Sequence, residues 1–108
     1  MMIKLFLIIS ITVSLYSKDI YVKYRGYINV DNGNFEHIDI SYSSLVKDIF
    51  YDKENEYLLV KLNSTYYHYC GVIQPITESW FKSSSLGRYY LQNIKGKYDC
   101  RVFPMPKY

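Results

Sequence analysis

Apolar and polar positions alternate with period two along much of this chain, and the period changes only near residue 72. The stretch Ile20-Tyr21-Val22-Lys23-Tyr24-Arg25 switches between the two kinds of position, which predicts a β-strand, and Tyr27 to Val30 continues it. Asp31-Asn32-Gly33-Asn34 follows, and Asn-Gly suits the positive φ angles of a tight hairpin turn. Phe35 to Ile40 reads as the return strand, with Ile38 and Ile40 on one face. These segments predict an N-terminal hairpin. Leu45 to Tyr51 is apolar and β-rich, and Asp52 to Glu56 is a polar turn. Tyr57 to Leu62 alternates again, with Leu58, Val60 and Leu62 inward and Tyr57, Leu59 and Lys61 on the other face. Asn63-Ser64 closes a tight turn into Thr65 to Cys70. On that strand, period two places Tyr67 and Tyr69 on one face and Tyr66, His68 and Cys70 on the other.

Past Gly71 the spacing becomes helical. Pro75 suits the first turn of a helix, and Glu78 lies near its positive end. Ile76 and Trp80 are four apart with Phe81 beside them, which gives the helix a short apolar face. Ser83 to Gly87 stops it, and Arg88 to Ile94 fits either a helical turn or a loop. Lys95-Gly96-Lys97 is a turn, Cys100 to Phe103 reads as a last strand, and Pro104 and Pro106 end regular structure. The expected fold is α+β: an antiparallel β-meander of three to five strands with one short helix packed on it. The length of 108 residues allows one small domain, and no repeat or linker marks a second.

The first residues do not share these patterns. Lys4 is followed by the apolar run Leu5 to Val13, then Leu15-Tyr16-Ser17 and the charged pair Lys18-Asp19. This is the layout of a secretory signal peptide over residues 1–17, with a cut after Ser17. The alternative is an uncleaved anchor, but the run is short against the roughly 20 residues that a bilayer span needs. The expected location is periplasmic or secreted, with no stable membrane span after cleavage. Residues 18–42 then form an N-terminal strand or hairpin extension, and 99–108 a C-terminal tail.

Export changes the meaning of the cysteines. Cys70 and Cys100 both lie beyond the leader, and an even pair in a small exported domain reads as a disulfide. Closing a loop of about 30 residues contributes about 3–4 kcal/mol in the chain-entropy model. A zinc site is a poor alternative, because only His37 and His68 could join and they lack ligand-pair spacing. No metal or cofactor is expected. Of 13 basic residues, loss of Lys4 with the leader leaves 12 against 10 acidic ones, too even a balance to announce a nucleic-acid groove. Tyrosine is abundant, but so are Ile, Lys and Asn, the mix an AT-rich genome produces. The tyrosine count alone therefore does not mark a binding surface.

From Ser43 onward an ordered set of short elements resembles the KTSC domain, a small domain found alone in bacterial proteins and at the C-terminus of some lysyl-tRNA synthetases. Ser43-Ser44-Leu45 is similar to the entry into its first strand, and Tyr51-Asp52 to the end of that strand. Leu58-x-Val60-x-Leu62 resembles the next strand, Tyr67-His68-Tyr69 the Tyr-x-Tyr element, and Val72 the apolar residue before the helix. Ser85-Leu86-Gly87-Arg88-Tyr89 and Ile94 to Tyr98 are similar to the closing elements. The resemblance covers residues 43–98. The turn at Asn63-Ser64 is tighter than usual and lacks the common glycine, and the cysteines, the N-terminal hairpin and the tail are additions. The resemblance implies a small β-meander with a packed helix, and a function largely unknown, with RNA binding suggested only by the synthetase fusion.

The candidate ligand-binding residues are Tyr66, Tyr67, His68 and Tyr69, with charge from Arg88, Lys95 and Lys97. Alternating aromatics on a strand usually pack on a core or helix, and Ile76, Trp80 and Phe81 offer such a partner. Only one of the sets Tyr67/Tyr69 and Tyr66/His68 is then expected to be core, and the other is the candidate surface. The expected function is a non-catalytic binding or interaction module with a protein or glycan partner in the cell envelope. The alternative is binding of RNA or single-stranded DNA by stacked rings. Catalysis has little support. The chain lacks Gly-x-Ser-x-Gly, His-Glu-x-x-His and a phosphate loop, and a disulfide would consume the Cys70 thiol.

Overall fold

The computed structural model describes residues 18–108, so the expected signal peptide lies outside the described residues. Six strands form one sheet: β1 Asp19–Val22, β2 Gly26–Asn29, β3 Glu36–His37, β4 Val46–Asp52, β5 Tyr57–Leu62 and β6 Thr65–Tyr69. Their order across the sheet is β2-β1-β6-β5-β4-β3. The meander expected for β4, β5 and β6 is present, with antiparallel pairing that sets Val60 against Ile49 and Tyr67. Asn63 takes the left-handed conformation (φ 56°) that the tight β5–β6 turn needs. A register shift between Val46 and Asp48 bulges β4 near its start.

Two expectations need correction at the sheet. It has six strands, and it is mixed, because β1 runs parallel to β6 with Val22 opposite Tyr66. The N-terminal hairpin also turns elsewhere. It closes at Lys23–Arg25, pairing Ile20 with Ile28 and Tyr21 with Tyr27. The Asp31–Asn34 segment does turn, with side chains of Asn29 and Asn32 accepting from the backbone N–H of Asp31 and Asn34 at 2.8 Å each. It leads to the opposite edge, where β3 pairs with β4. The reason is burial: Val30 and Phe35, on either side of that turn, pack into the sheet's second apolar layer as the chain crosses from edge to edge.

Helix α1, Gln74–Phe81, starts where Pro75 predicts. A second helix, α2, spans Leu86–Tyr89 and runs into a π-helical turn over Tyr90–Ile94, so the single helix expected becomes two with an added turn. Ser85 caps α2 by accepting the Arg88 N–H at 3.2 Å. The strand expected at Cys100–Phe103 is absent. That segment is a turn closed by the Val102 and Phe103 N–H groups on the Asp99 carbonyl, at 2.9 and 3.0 Å. Among the described residues, no helix is long and apolar enough to cross a membrane.

Both faces of the sheet are buried at its centre. The first face carries Ile49, Tyr51, Leu58, Val60 and Tyr69 under Trp80, Leu86, Tyr90 and Ile94 from the helical layer. Trp80 is fully buried and donates its indole N–H to the Leu86 carbonyl at 3.0 Å. The second face carries Phe50, Tyr57, Leu59 and Cys70, covered by Ile20, Val22, Ile28 and Val30 and by the partly buried Phe35 and Cys100. The expectation that only one side of β6 is core therefore fails: Tyr69 belongs to the first layer, and Tyr66 and Cys70 to the second.

Candidate functional site: a groove at the open edge of β6

Strand β6 has two neighbours, and one of them leaves early. On the far side β5 accompanies it from Thr65 to Tyr69. On the near side β1 meets it at Tyr66 alone, where the Lys23 N–H donates to the Tyr66 carbonyl at 2.9 Å before the chain turns away. The edge is taken up again at Cys70, whose N–H donates to the Tyr98 carbonyl at 2.8 Å. Backbone groups of alternate residues on a strand point to the same edge. Tyr66 and Cys70 bond on this side, so the N–H and C=O of His68, between them, open on it too.

A groove of about 670 Å³ lies over this gap. Tyr67, His68 and Tyr69 line it from β6, Tyr24 from the β1–β2 turn, and Lys97, Tyr98 and Arg101 from the segment that follows the helices, with Met105 from the tail. Two of these tyrosines are held in unusual backbone geometry. Tyr24 has φ 71° and Tyr98 φ 58°, in the left-handed region that bulky side chains rarely occupy. Such conformations cost on the order of 1–3 kcal/mol and persist where the surroundings impose them. Tyr98 is fixed by its bond to Cys70, but Tyr24 is 80% exposed.

The electrostatics of the groove are mild. Arg101 is paired with Asp99 at 2.8 Å, and this bonding holds the Asp99 carboxyl down at about 2. The Lys23 ammonium lies 5.7 Å from the centre of the Tyr67 ring and 5.3 Å from that of Tyr24. His68 shares a 2.9 Å hydrogen bond with the Tyr57 hydroxyl through Nδ1. Burial, aided by the Arg25 charge, pushes the His68 imidazole below its ordinary value, so it is neutral at physiological pH. Tyr69 bonds the Tyr90 hydroxyl, and burial raises its phenol well above the ordinary value. Cys70 and Cys100 are joined in a disulfide, as expected, so neither carries a thiol.

The residues singled out from the sequence are thus divided. Tyr67, His68, Tyr69 and Lys97 meet at the groove. Tyr66 lies apart, donating to Asp48 at 2.6 Å, and His37 bonds the same carboxylate at 2.5 Å. Burial raises the Asp48 carboxyl, but these two bonds outweigh it and leave it lowered. Burial and the Asp48 carboxylate together push the Tyr66 phenol far up, so it stays protonated. Arg88 is exposed on α2 and Lys95 follows the π-helical turn, and neither lines the groove. Tyr24, Tyr98, Arg101 and Met105 were not among the candidate site residues read from the sequence; the Lys-Tyr-Arg run at residues 23–25 reads there as more strand. Among the described residues, no group of three His, Cys, Asp or Glu side chains could hold a metal ion.

The molecule is a small α+β domain in which a three-stranded meander and two short helices are framed by added segments at both ends. The family model of the KTSC domain matches residues 42–98, a little over half the chain. The protein belongs to the KTSC domain family, as the ordered elements from Ser43 to Tyr98 suggest. A crystal structure of a KTSC domain protein from Yersinia pestis is similar to it, with a TM-score of 0.56 and 27% sequence identity over 60% of this chain and 92% of that one. No curated protein matches the chain.

Proposed function

We propose that this protein is an exported, non-catalytic binding module that holds an extended segment of a partner protein in the cell envelope. One observation carries the reading: the edge of β6 is interrupted at His68, with its backbone donor and acceptor facing a groove walled by Tyr24, Tyr67 and Tyr98. A peptide laid along that edge finds main-chain bonds at His68 and ring surface on either side, which is the logic of strand addition. Tyrosine, arginine and methionine are the residue types enriched where proteins meet. A nucleic-acid ligand is less well served, because Arg101 is already neutralised by Asp99. The disulfide supports a compartment that is oxidising, as the apolar leader does.

The experiment is a pull-down from envelope extract with the disulfide-intact protein, wild type beside Tyr24→Gly and Tyr67→Ala. Tyr24→Gly is the informative change. Glycine accepts φ 71° without strain, so thermal stability is expected to hold or to rise by about 1 kcal/mol. Partner capture is expected to weaken about tenfold in both variants, the loss of one buried anchor ring. Capture that is unaltered in both overturns the groove. Capture that survives protease treatment of the extract but not glycan digestion replaces the peptide with a glycan.

A further inference from the structure

The polar groups buried behind the groove decide which nitrogen of His68 carries the proton. Tyr57 is fully buried, and burial raises its phenol above the ordinary value, so it enters the network as a protonated hydroxyl. A hydroxyl hydrogen cut off from solvent needs an acceptor. Among the described residues, the acceptor it has is Nδ1 of His68 at 2.9 Å. The Arg25 guanidinium beside the phenol carries only donors. The phenol therefore donates to Nδ1, and the neutral imidazole holds its own proton on Nε2. That nitrogen has no partner among the described residues, and it is not buried: the one side-chain nitrogen or oxygen there that is both buried and unpartnered is Nη1 of Arg25. Nε2 keeps contact with solvent, and the space that His68 lines is the groove.

The charged side chains around the groove lean the same way. The one carboxylate in its lining, Asp99, is held by the backbone N–H and the Nη2 of Arg101, at 2.8 Å each. Lys97 lines the groove, and Lys23 lies over the Tyr24 and Tyr67 rings of its wall. Neither ammonium is within ion-pair distance of a carboxylate among the described residues. Resting on the strand-addition reading above, we propose that the groove selects an acidic segment, in which an aspartate or glutamate set opposite His68 accepts the Nε2–H. Strand register supplies the position, because residues directly opposite each other on paired strands project their side chains on the same face. A carboxylate opposite His68 thus stands beside the imidazole while its main chain takes the bonds of the open edge. Hydrogen bonds to an ionised acceptor are roughly twice as strong as neutral ones, which favours an acid over its amide. Tyr57 is a positioning residue in this scheme. It touches no ligand, but its hydroxyl keeps the donor turned toward the carboxylate, where the reversed tautomer would present a lone pair.

The test has two independent readouts on the disulfide-intact protein. Long-range proton–nitrogen NMR spectra of isotope-labelled protein at neutral pH report the tautomer, and a His68→Gln spectrum separates its signal from that of His37. A protonated Nε2 is expected, and a protonated Nδ1 overturns the proposal. The second readout is selection from a displayed library of random seven-residue peptides. The recovered peptides are expected to carry aspartate or glutamate, and replacing that acid by its amide in a synthetic copy is expected to weaken binding about tenfold. Tyr57→Phe keeps the ring in place, and it is expected to cut that preference to about twofold while Lys97→Gln leaves most of it. Peptides that bind without an acid, or that bind equally as acid and amide, overturn the acidic preference and leave the peptide groove standing. An acid preference that survives Tyr57→Phe but vanishes in Lys97→Gln assigns it to the lysines and overturns the role of His68. Recovery of no peptide, or of peptides indifferent to Tyr67→Ala, overturns the groove reading and this inference together.

Discussion

The two faces of β5 are covered by unlike means. On one, Leu58 and Val60 lie beneath Trp80, Leu86 and Ile94, all from residues within the KTSC match. On the other, Tyr57 and Leu59 lie beneath Ile20, Val22, Ile28 and Val30, which precede it, while the tail follows it. The first cover is local in sequence, built from helices that follow directly on the meander. The second is assembled from both ends of the chain, and the Cys70–Cys100 disulfide, 30 residues apart, joins the tail to β6. The Tyr108 hydroxyl donates to Asp52 at 2.6 Å, Arg25 donates to the Pro106 carbonyl at 2.7 Å, and the Arg25 guanidinium sits between the Tyr57 and Tyr108 rings. Phe103 crosses so close to Gly71 that a Cβ there would meet its ring at 2.7 Å. A family core therefore carries its own first face, and the extensions of this chain supply the second.

The difference can be broken or sharpened by experiment. The largest effect is expected at the helical cover. Trp80→Ala should cost about 3–5 kcal/mol in urea denaturation, because it empties a fully buried site and removes the indole hydrogen bond to the Leu86 carbonyl. A cost below about 1 kcal/mol would mean that the helices are not what stabilises the first face.

The next effect is expected at the disulfide. Cys70→Ser with Cys100→Ser should cost about 3–4 kcal/mol on the chain-entropy account. Amide exchange should rise first in β1, β2 and the tail, while the near-ultraviolet signal of Trp80 persists below the unfolding transition. Equal loosening of both faces would show them to be one cooperative unit.

The smallest effect is one of pH and belongs to the second face. The unfolded chain protonates His68 near its ordinary value of 6.5, the folded protein only at lower pH. Between those values the unfolded state binds more protons, so stability is full above the ordinary value and falls as pH falls toward the folded one. His68→Gln should flatten the melting temperature across that window. Asp48, lowered in the fold, adds its own loss only further into acid. A wild-type profile that is flat across that window would contradict the lowering of the His68 imidazole in the fold.

Local patterns made the central strands and α1 legible. An apolar, β-rich run located β4, period two located β5 and β6, and Pro75 with the Ile76–Trp80 spacing located α1, because those signals depend on near neighbours in sequence. The paired cysteines were legible too, since a chain with two cysteines leaves each one possible partner. What lay beyond reach is long-range. Asp31-Asn32-Gly33-Asn34 announces a turn, but nothing local tells whether the chain folds back on β2 or crosses to β4. The groove shows this most clearly. Tyr67 and His68 could be picked out as candidates, whereas Tyr24 and Tyr98, separated by 74 positions, are brought to the same groove only by the early departure of β1 and the return of the tail.

The sequence by itself determined the family, the meander, the first helix and the cysteine pairing, all of which follow from spacing and composition. Tertiary structure alone decided that both sides of β6 pack against apolar layers, that β1 runs parallel to it, and that its edge stays open at His68. The physical reason is that alternation says which residues share a face, while only the path of distant segments says what covers that face and where the cover stops.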